Sequence, residues 1–349
     1  MHPSIRHDTW ADALVRILLV TGLAILPFPG CRKKPGGPVA PPAPITIACP
    51  RNISAGLVII ANGKGYLARD GAQTTLLPFE SGKASLECML SGGADLAVVA
   101  ETPIARAILE DAKLRVLACI HQTGQDVAIV ARKDRGIRSP ADLRGKVIGY
   151  TKGTTGHFFL DTYCLVNRIH LDRARLVDLS PLQLRTALIE GQVDAVSTWQ
   201  PYVIALTDAL GPQVVLFRDE VIYTQSLFIV ARPEFIRDHP AQVKGLLEGL
   251  AAALATIAQT PAETRELLGA YVQLDPVLVK TVFSAQNFSL RLDQSHLLSI
   301  ENECRWFVES GAVSRRAVPD VLPYFHLPGL LEVRPEAVQI IRDEAGGRP

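Results

Sequence analysis

A two-lobed α/β architecture is predicted by three observations. From residue 45 onward, segments with strand patterning alternate with segments of helical spacing, which implies a mostly parallel sheet with crossover helices. The turn Gly92-Gly93-Ala94-Asp95, leading into a strand that ends at Ala100-Glu101, returns as Gly191-Gln192-Val193-Asp194, leading into a strand that ends at Trp199-Gln200. Finally, Ile129-Val130-Ala131-Arg132 is echoed by Ile229-Val230-Ala231-Arg232. The paired echoes imply two lobes of similar build. The chain is expected to leave lobe 1 (45–131), build lobe 2 (132–227) and return to complete lobe 1 (228–345). The two IVAR strands would then be the connections. A length of 349 residues suits two lobes, since a domain takes about 100–200 residues.

The elements follow in order. A short apolar strand spans 45–49, and 55–69 has helical spacing interrupted by Gly63 and Gly65. Residues 74–79 are rich in aliphatic and β-branched side chains and read as a strand. Helical spacing over 82–90 precedes strands at 95–100 and 114–120. Ser139-Pro140 with Asp142-Leu143 marks a helix start. A strand at 147–150 leads into a helix over 155–167 that carries Phe158, Phe159, Tyr163 and Val166 for packing. Then come a strand (175–179), a helix (181–190) and a strand (193–199). From His239 the chain is mostly helical, with apolar residues at helical spacing over 242–257, 261–271, 276–284 and 294–309.

Composition bounds the function. Charged residues make up 20% and hydrophobic ones 48%, a globular balance that excludes a mostly disordered chain. With 36 Lys+Arg against 35 Asp+Glu, the net charge is +1, so there is no overall electrostatic reason to bind nucleic acid. The mean hydropathy of +0.19 is raised partly by the run at 17–26. That run is shorter than the ~20 residues a bilayer span needs and suits an export signal (1–30). Asp8 and Asp12 precede it, which is unusual for such a signal and suggests a true start near Val15. Gly30-Cys31 resembles the end of a bacterial lipoprotein signal, which implies lipidation at Cys31, although Phe28 and Pro29 stand where small or aliphatic residues are usual. Residues 31–44 then form a flexible, partly extended Pro/Gly-rich tether. The six cysteines show neither CxxC nor zinc spacing. They are read as buried thiols acting as small apolar side chains, with no metal.

In open α/β sheets, ligands sit beyond the carboxyl ends of strands. Those ends bring forward Ser54, Ala55, Ser81, Glu101, Thr102, Gln122, Thr123, Thr154, Thr155, Gly156, His157, Trp199 and Gln200. The stretch Tyr150-Thr151-Lys152-Gly153-Thr154-Thr155-Gly156-His157 joins a strand to a helix. Its glycines allow close backbone approach, and the helix start offers free N–H groups and a positive dipole end to an anion. Plain helix capping by Thr154 or Thr155 is the structural alternative. Trp199 offers a flat wall, Gln200 an amide, and Glu101 either a counter-charge for a ligand ammonium or a helix cap. No nucleotide loop occurs at a strand–helix turn, and no GxSxG, HExxH or paired-carboxylate motif supports catalysis. No catalytic residue and no cofactor are expected.

The stretch DLRGKVIGYTKGTTGHFFL (142–160) resembles the nitrate/sulfonate/taurine (NMT1/THI5-like) group of ABC-transporter substrate-binding proteins. LIEGQVDAVSTWQPY (188–202), SGGADLAVVAETP (91–103) and LLEVRPEAVQII (330–341) are similar to further segments of that group. The resemblance covers about 45–341. It implies a type II periplasmic-binding-protein fold, with two α/β lobes joined by two crossing strands. It also implies an exported, lipid-anchored monomer at the periplasm or cell surface. That monomer would trap a small anionic or zwitterionic solute and hand it to a permease and ATPase. By position, Thr154, Thr155 and Gly156 would hold an acidic group and Trp199 would wall the cleft. Gln200 stands where many relatives have Glu, which puts a ligand amine at that point in doubt. The alternative is an enzyme or precursor-binding protein on the same fold, of the thiamine-pyrimidine or chorismate-dehydratase type. A third possibility is a sensing module that signals to a separate membrane partner.

Overall fold

A computed structural model of the protein describes residues 44–68, 73–171 and 175–341. The signal-like run, Cys31 and most of the tether lie outside them. The chain begins with β1 (Ile45–Pro50), whose side chains are buried on both faces, as expected of a central parallel strand. A 3-10 turn (Ile53–Ala55) leads into α1 (Gly56–Gly63), so the predicted helix over 55–69 ends early. Next come β2 (Thr74–Phe79), α2 (Gly82–Leu90), β3 (Leu96–Ala100), α3 (Glu101–Leu109) and β4 (Arg115–Thr123). The chain crosses at 124–126 and forms β5 (Val127–Arg132), β6 (Ile148–Tyr150), α4 (Thr155–Val166), β7 (Leu176–Asp178), α5 (Pro181–Ile189), β8 (Ala195–Trp199), α6 (Tyr202–Leu210) and β9 (Val214–Phe217). The start predicted at Ser139-Pro140 is a capped 3-10 turn, Pro140–Leu143.

A second crossing at 218–224 returns the chain as β10 (Gln225–Ala231). Helices α7 (Pro233–Asp238), α8 (Pro240–Gln259), α9 (Pro261–Val272) and α10 (Pro276–Phe283) follow, then β11 (Phe288–Asp293), α11 (Gln294–Glu309), α12 (Leu327–Val333) and β12 (Val338–Gln339). Helix α8 is apolar and long enough to cross a membrane by length and composition alone. It instead packs on α1 and α12, with Val243, Leu246, Leu247 and Leu250 buried.

Two sheets result, ordered β12-β11-β4-β10-β3-β1-β2 and β7-β6-β8-β5-β9. The runs β2-β1-β3-β10-β4 and β7-β6-β8-β5-β9 are the same arrangement. In each, three parallel strands are followed by one antiparallel strand, which pairs antiparallel on its far side as well. The antiparallel strands β10 and β5 carry the two IVAR segments. Their echo therefore marks equivalent central positions in two sheets, not the connections, which are the crossings just before each strand. The first crossing accordingly falls at 124–126, rather than after 131 as the sequence suggested, because β5 pairs on both sides with strands of the second sheet. Residues 225–227 likewise belong to β10 in the first sheet.

Strand β5 alternates strictly. Val127, Ile129 and Ala131 face a cluster with Phe159, Leu160 and Trp199, while Ala128 and Val130 face Leu184, Leu188, Val196 and Leu206. Side-chain period two thus gives the second sheet a core on each face. The lobes meet behind the crossings. Trp306 of α11 donates from Nε1 to Asp161 Oδ2 of α4 (3.3 Å) and meets the rings of His157 and Phe158 edge-on.

Candidate functional site

The parallel strands of both sheets end facing one another. Asn52 follows β1, Ser81, Gly82 and Lys83 follow β2, and Ala100 ends β3. Thr154 and Thr155 follow β6, and Trp199 ends β8. Gln225 and Leu227 open β10, beside Ala100 because that strand runs antiparallel. Together with Pro103, these residues enclose a cavity of about 20 Å³ between the lobes, enough for about one water.

The local chemistry favours an anion. Ser81 caps α2, its Oγ accepting from Ala84 N at 3.2 Å. Thr154 occupies the cap position of α4 and donates from Oγ1 to Thr151 O at 2.7 Å. Ala84 N is held by Ser81 Oγ and His157 N by Thr154 O (3.0 Å), which leaves the N–H groups of residues 82, 83, 155 and 156 ahead of the intrahelical bonds, carrying partial positive charge. Lys83 adds an ammonium, which donates to Lys152 O of the other lobe at 3.2 Å. Gln225 is 3% exposed, and its Oε1 is buried without a hydrogen-bond partner. Rotating the amide would present its NH2 to an oxyanion instead.

Four of the residues singled out from the sequence line this cavity: Ser81, Thr154, Thr155 and Trp199. The others sit beside or behind it. Glu101 is fully buried, and its carboxylate accepts from Tyr223 OH (2.7 Å) and from Ser226 N (3.1 and 3.0 Å). It therefore ties the second crossing to α3 and does not face the cavity as a counter-charge. Burial raises its pKa to about 7, against the opposing effect of these hydrogen bonds. Thr102 is buried beside it. Ser54 donates to Asp126 in the first crossing and to Gln286 Oε1 (3.3 Å), while Ala55 N donates to the Asn52 side chain (2.9 Å). Gln122 accepts from Arg291 (2.6 Å) and donates to Ser226 Oγ (3.2 Å). Thr123 Oγ1 donates to Ala285 O (3.2 Å).

Gly156 serves packing. A Cβ there would lie 2.8 Å from Ser197 O, and Ser197 Oγ donates to Gly156 O at 2.7 Å. Glycine thus lets α4 lie against β8. His157 accepts at Nδ1 from Gly153 N (3.3 Å) and stacks on Tyr150, with ring centroids 4.6 Å apart. Gln200 accepts at Oε1 from Ile204 N (3.1 Å), capping the chain ahead of α6. Sequence reading missed Lys83 and Gln225. Lys83 had a signal, as a cation in the first turn of a helix just past a strand end. Gln225 had none, because its place depends on an antiparallel pairing. Burial pushes the thiols of Cys49, Cys119, Cys164 and Cys304 up to about 12, the behaviour of structural rather than reactive cysteines.

Two α/β lobes joined by two crossings, with strand ends and helix starts converging on the gap, define the architecture of periplasmic substrate-binding proteins. The alkanesulfonate-binding protein SsuA from Xanthomonas axonopodis pv. citri, solved bound to MOPS, superposes with a TM-score of 0.71 at 22% identity, covering 82% of this chain and 99% of that one. The periplasmic aliphatic sulphonate binding protein SsuA from Escherichia coli gives a TM-score of 0.67 at 19% identity, covering 88% and 97%. The NMT1/THI5 like family model matches residues 52–264, and the chain belongs to that family. Among curated relatives, the taurine-binding periplasmic protein of Escherichia coli K12 is 26% identical over 183 residues, 51% of this chain and 56% of that protein.

Proposed function

We propose that this chain is the extracytoplasmic solute-binding component of an ABC importer, trapping an organic oxyanion of the sulfonate class between its lobes. The observation that carries this reading is that the α2 and α4 starts and Lys83 line one cavity, with the unpartnered Oε1 of Gln225 beside them. The names of its relatives and structural neighbours support sulfonate over nitrate and a binding role over an enzymatic one. Ser81, Thr154, Thr155 and Trp199 are the sequence-predicted residues assigned to ligand contact. Because the cavity is so small, solute entry requires the lobes to part about 124–126 and 218–224. Closure then follows from contacts made by both lobes. Delivery to a permease and ATPase completes the function.

Isothermal titration with ethanesulfonate, taurine, nitrate and acetate tests the reading. Binding of at least one sulfonate is expected, with Lys83→Ala weakening it about tenfold through loss of a charge-assisted hydrogen bond. Binding of none of the four, or an unchanged affinity in Lys83→Ala, would overturn it. The Gly30-Cys31 junction further supports anchoring by a lipid on Cys31. Expressed in a bacterial host, Cys31→Ser is expected to move the chain from the membrane fraction to the soluble one. Retention of the variant on membranes would count against the anchor.

A further inference from the structure

The anion site opens outward, at Ser81 and Lys83, into a much larger groove between the same two lobes. The groove holds about 1050 Å³, against about 20 Å³ for the inner cavity. It stays open while the lobes touch across it, at Lys83 to Lys152 O and at Tyr202 OH to Glu80 O (3.2 Å). Its walls are largely apolar. Phe79 and Leu274 stand on the first-lobe side, and Leu182, Tyr202 and Ala205 on the second-lobe side. Leu182, just inside α5, is 50% exposed. The charges around the groove are matched, with Arg51, Lys83 and Arg185 against Glu80, Glu87 and Asp178. The groove therefore offers apolar surface without a net field for a second charge.

Pockets for drug-sized molecules measure roughly 300–1,000 Å³. A two-carbon solute held at Lys83 would leave nearly all of this groove to water and its apolar walls uncovered. Building on the oxyanion reading above, we infer that the ligand is an organic anion with a bulky, uncharged apolar body. Its acidic head sits at Ser81, Lys83 and the α2 and α4 starts. Its body lies in the groove against Leu182, Ala205, Tyr202 and Phe79. The site discriminates by tail, and compact anions occupy it weakly.

Titration of the full chain with methanesulfonate, taurine, 1-octanesulfonate and naphthalene-2-sulfonate tests this. Each methylene buried on an apolar wall contributes roughly a factor of four, and the groove covers the tail on only some sides. The two bulky anions are therefore expected to bind at least about tenfold more tightly than methanesulfonate and taurine. Ala205→Trp, which fills the groove, and Leu182→Asp, on the exposed start of α5, should each cost the bulky anions about tenfold more than methanesulfonate. Using both variants, with unfolding midpoints recorded, separates groove effects from misfolding. Equal affinity across the series, or tighter binding of the compact anions, overturns the tail groove and leaves the oxyanion site standing. Equal losses for bulky and compact anions in both variants do the same. Failure of all four anions to bind overturns the oxyanion site itself.

Discussion

Glu101 shows how a residue legible as chemistry takes a different part once the chain is folded. From the sequence it is a carboxylate at a strand end beside a candidate cleft. In the fold it is the first residue of α3 with no exposure, holding Tyr223 OH and Ser226 N. Burial raises its pKa from 4.5 to about 7, and the nearby Glu303 carboxyl is also raised by burial and by the Glu101 charge. A raised folded-state pKa means that the protonated form is favoured on folding. The stability it contributes is then fully present below about pH 4.5 and lost as pH rises through about 7. The unfolding midpoint is expected to fall over that window, and Glu101→Gln, which holds the side chain neutral, should flatten the fall. Scanning calorimetry at several pH values checks this, and an unchanged slope in the variant would refute it. Lys83 is the converse case, overlooked in the sequence yet set at the neck between cavity and groove.

At the scale of elements, the βα units were the legible part. The regions 74–79, 82–90, 181–190 and 193–199 fold almost where their patterning put them, as β2, α2, α5 and β8. Period-two and helical spacing are local consequences of which face is buried. The sharpest boundary is α5, where Ser180 and Gln183 form a reciprocal cap (2.9 and 3.3 Å) ahead of Pro181. Strand β11 was hidden in a region read as helical. Its six residues, Phe288–Asp293, are too short to signal against helices on both sides, and it is held as a strand by pairing with β4 and β12. The end of β4 at Thr123 was missed for a similar reason. His121, Gln122 and Thr123 are polar, and pairing with β10 on one side and β11 on the other keeps them extended.

For the molecule as a whole, the proposed function rests on two lobes that part and close. Few ties cross the mouth, so each should bias that balance. The Tyr202 hydroxyl donates to Glu80 O across it at 3.2 Å, and one such bond contributes about 1 kcal/mol. Tyr202→Phe is therefore expected to shift the unliganded population toward the open form and to weaken ligand binding about fivefold, without changing the fold. An increase in radius of gyration by small-angle X-ray scattering checks the shift, and an unchanged radius together with unchanged affinity would refute it. The sequence by itself determined the α/β class, the doubled plan and the strand ends that border the gap, because alternation, turn residues and echoes are properties of neighbours along the chain. It also carried the family resemblance of 142–160 and 188–202. Only the tertiary structure decided which polar residues reach the gap, separating Lys83, Asn52 and Gln225 from Glu101, Gln200 and His157. Those assignments depend on pairings and crossings between distant segments, and a side chain at a strand end turns toward ligand or toward protein according to what packs behind it.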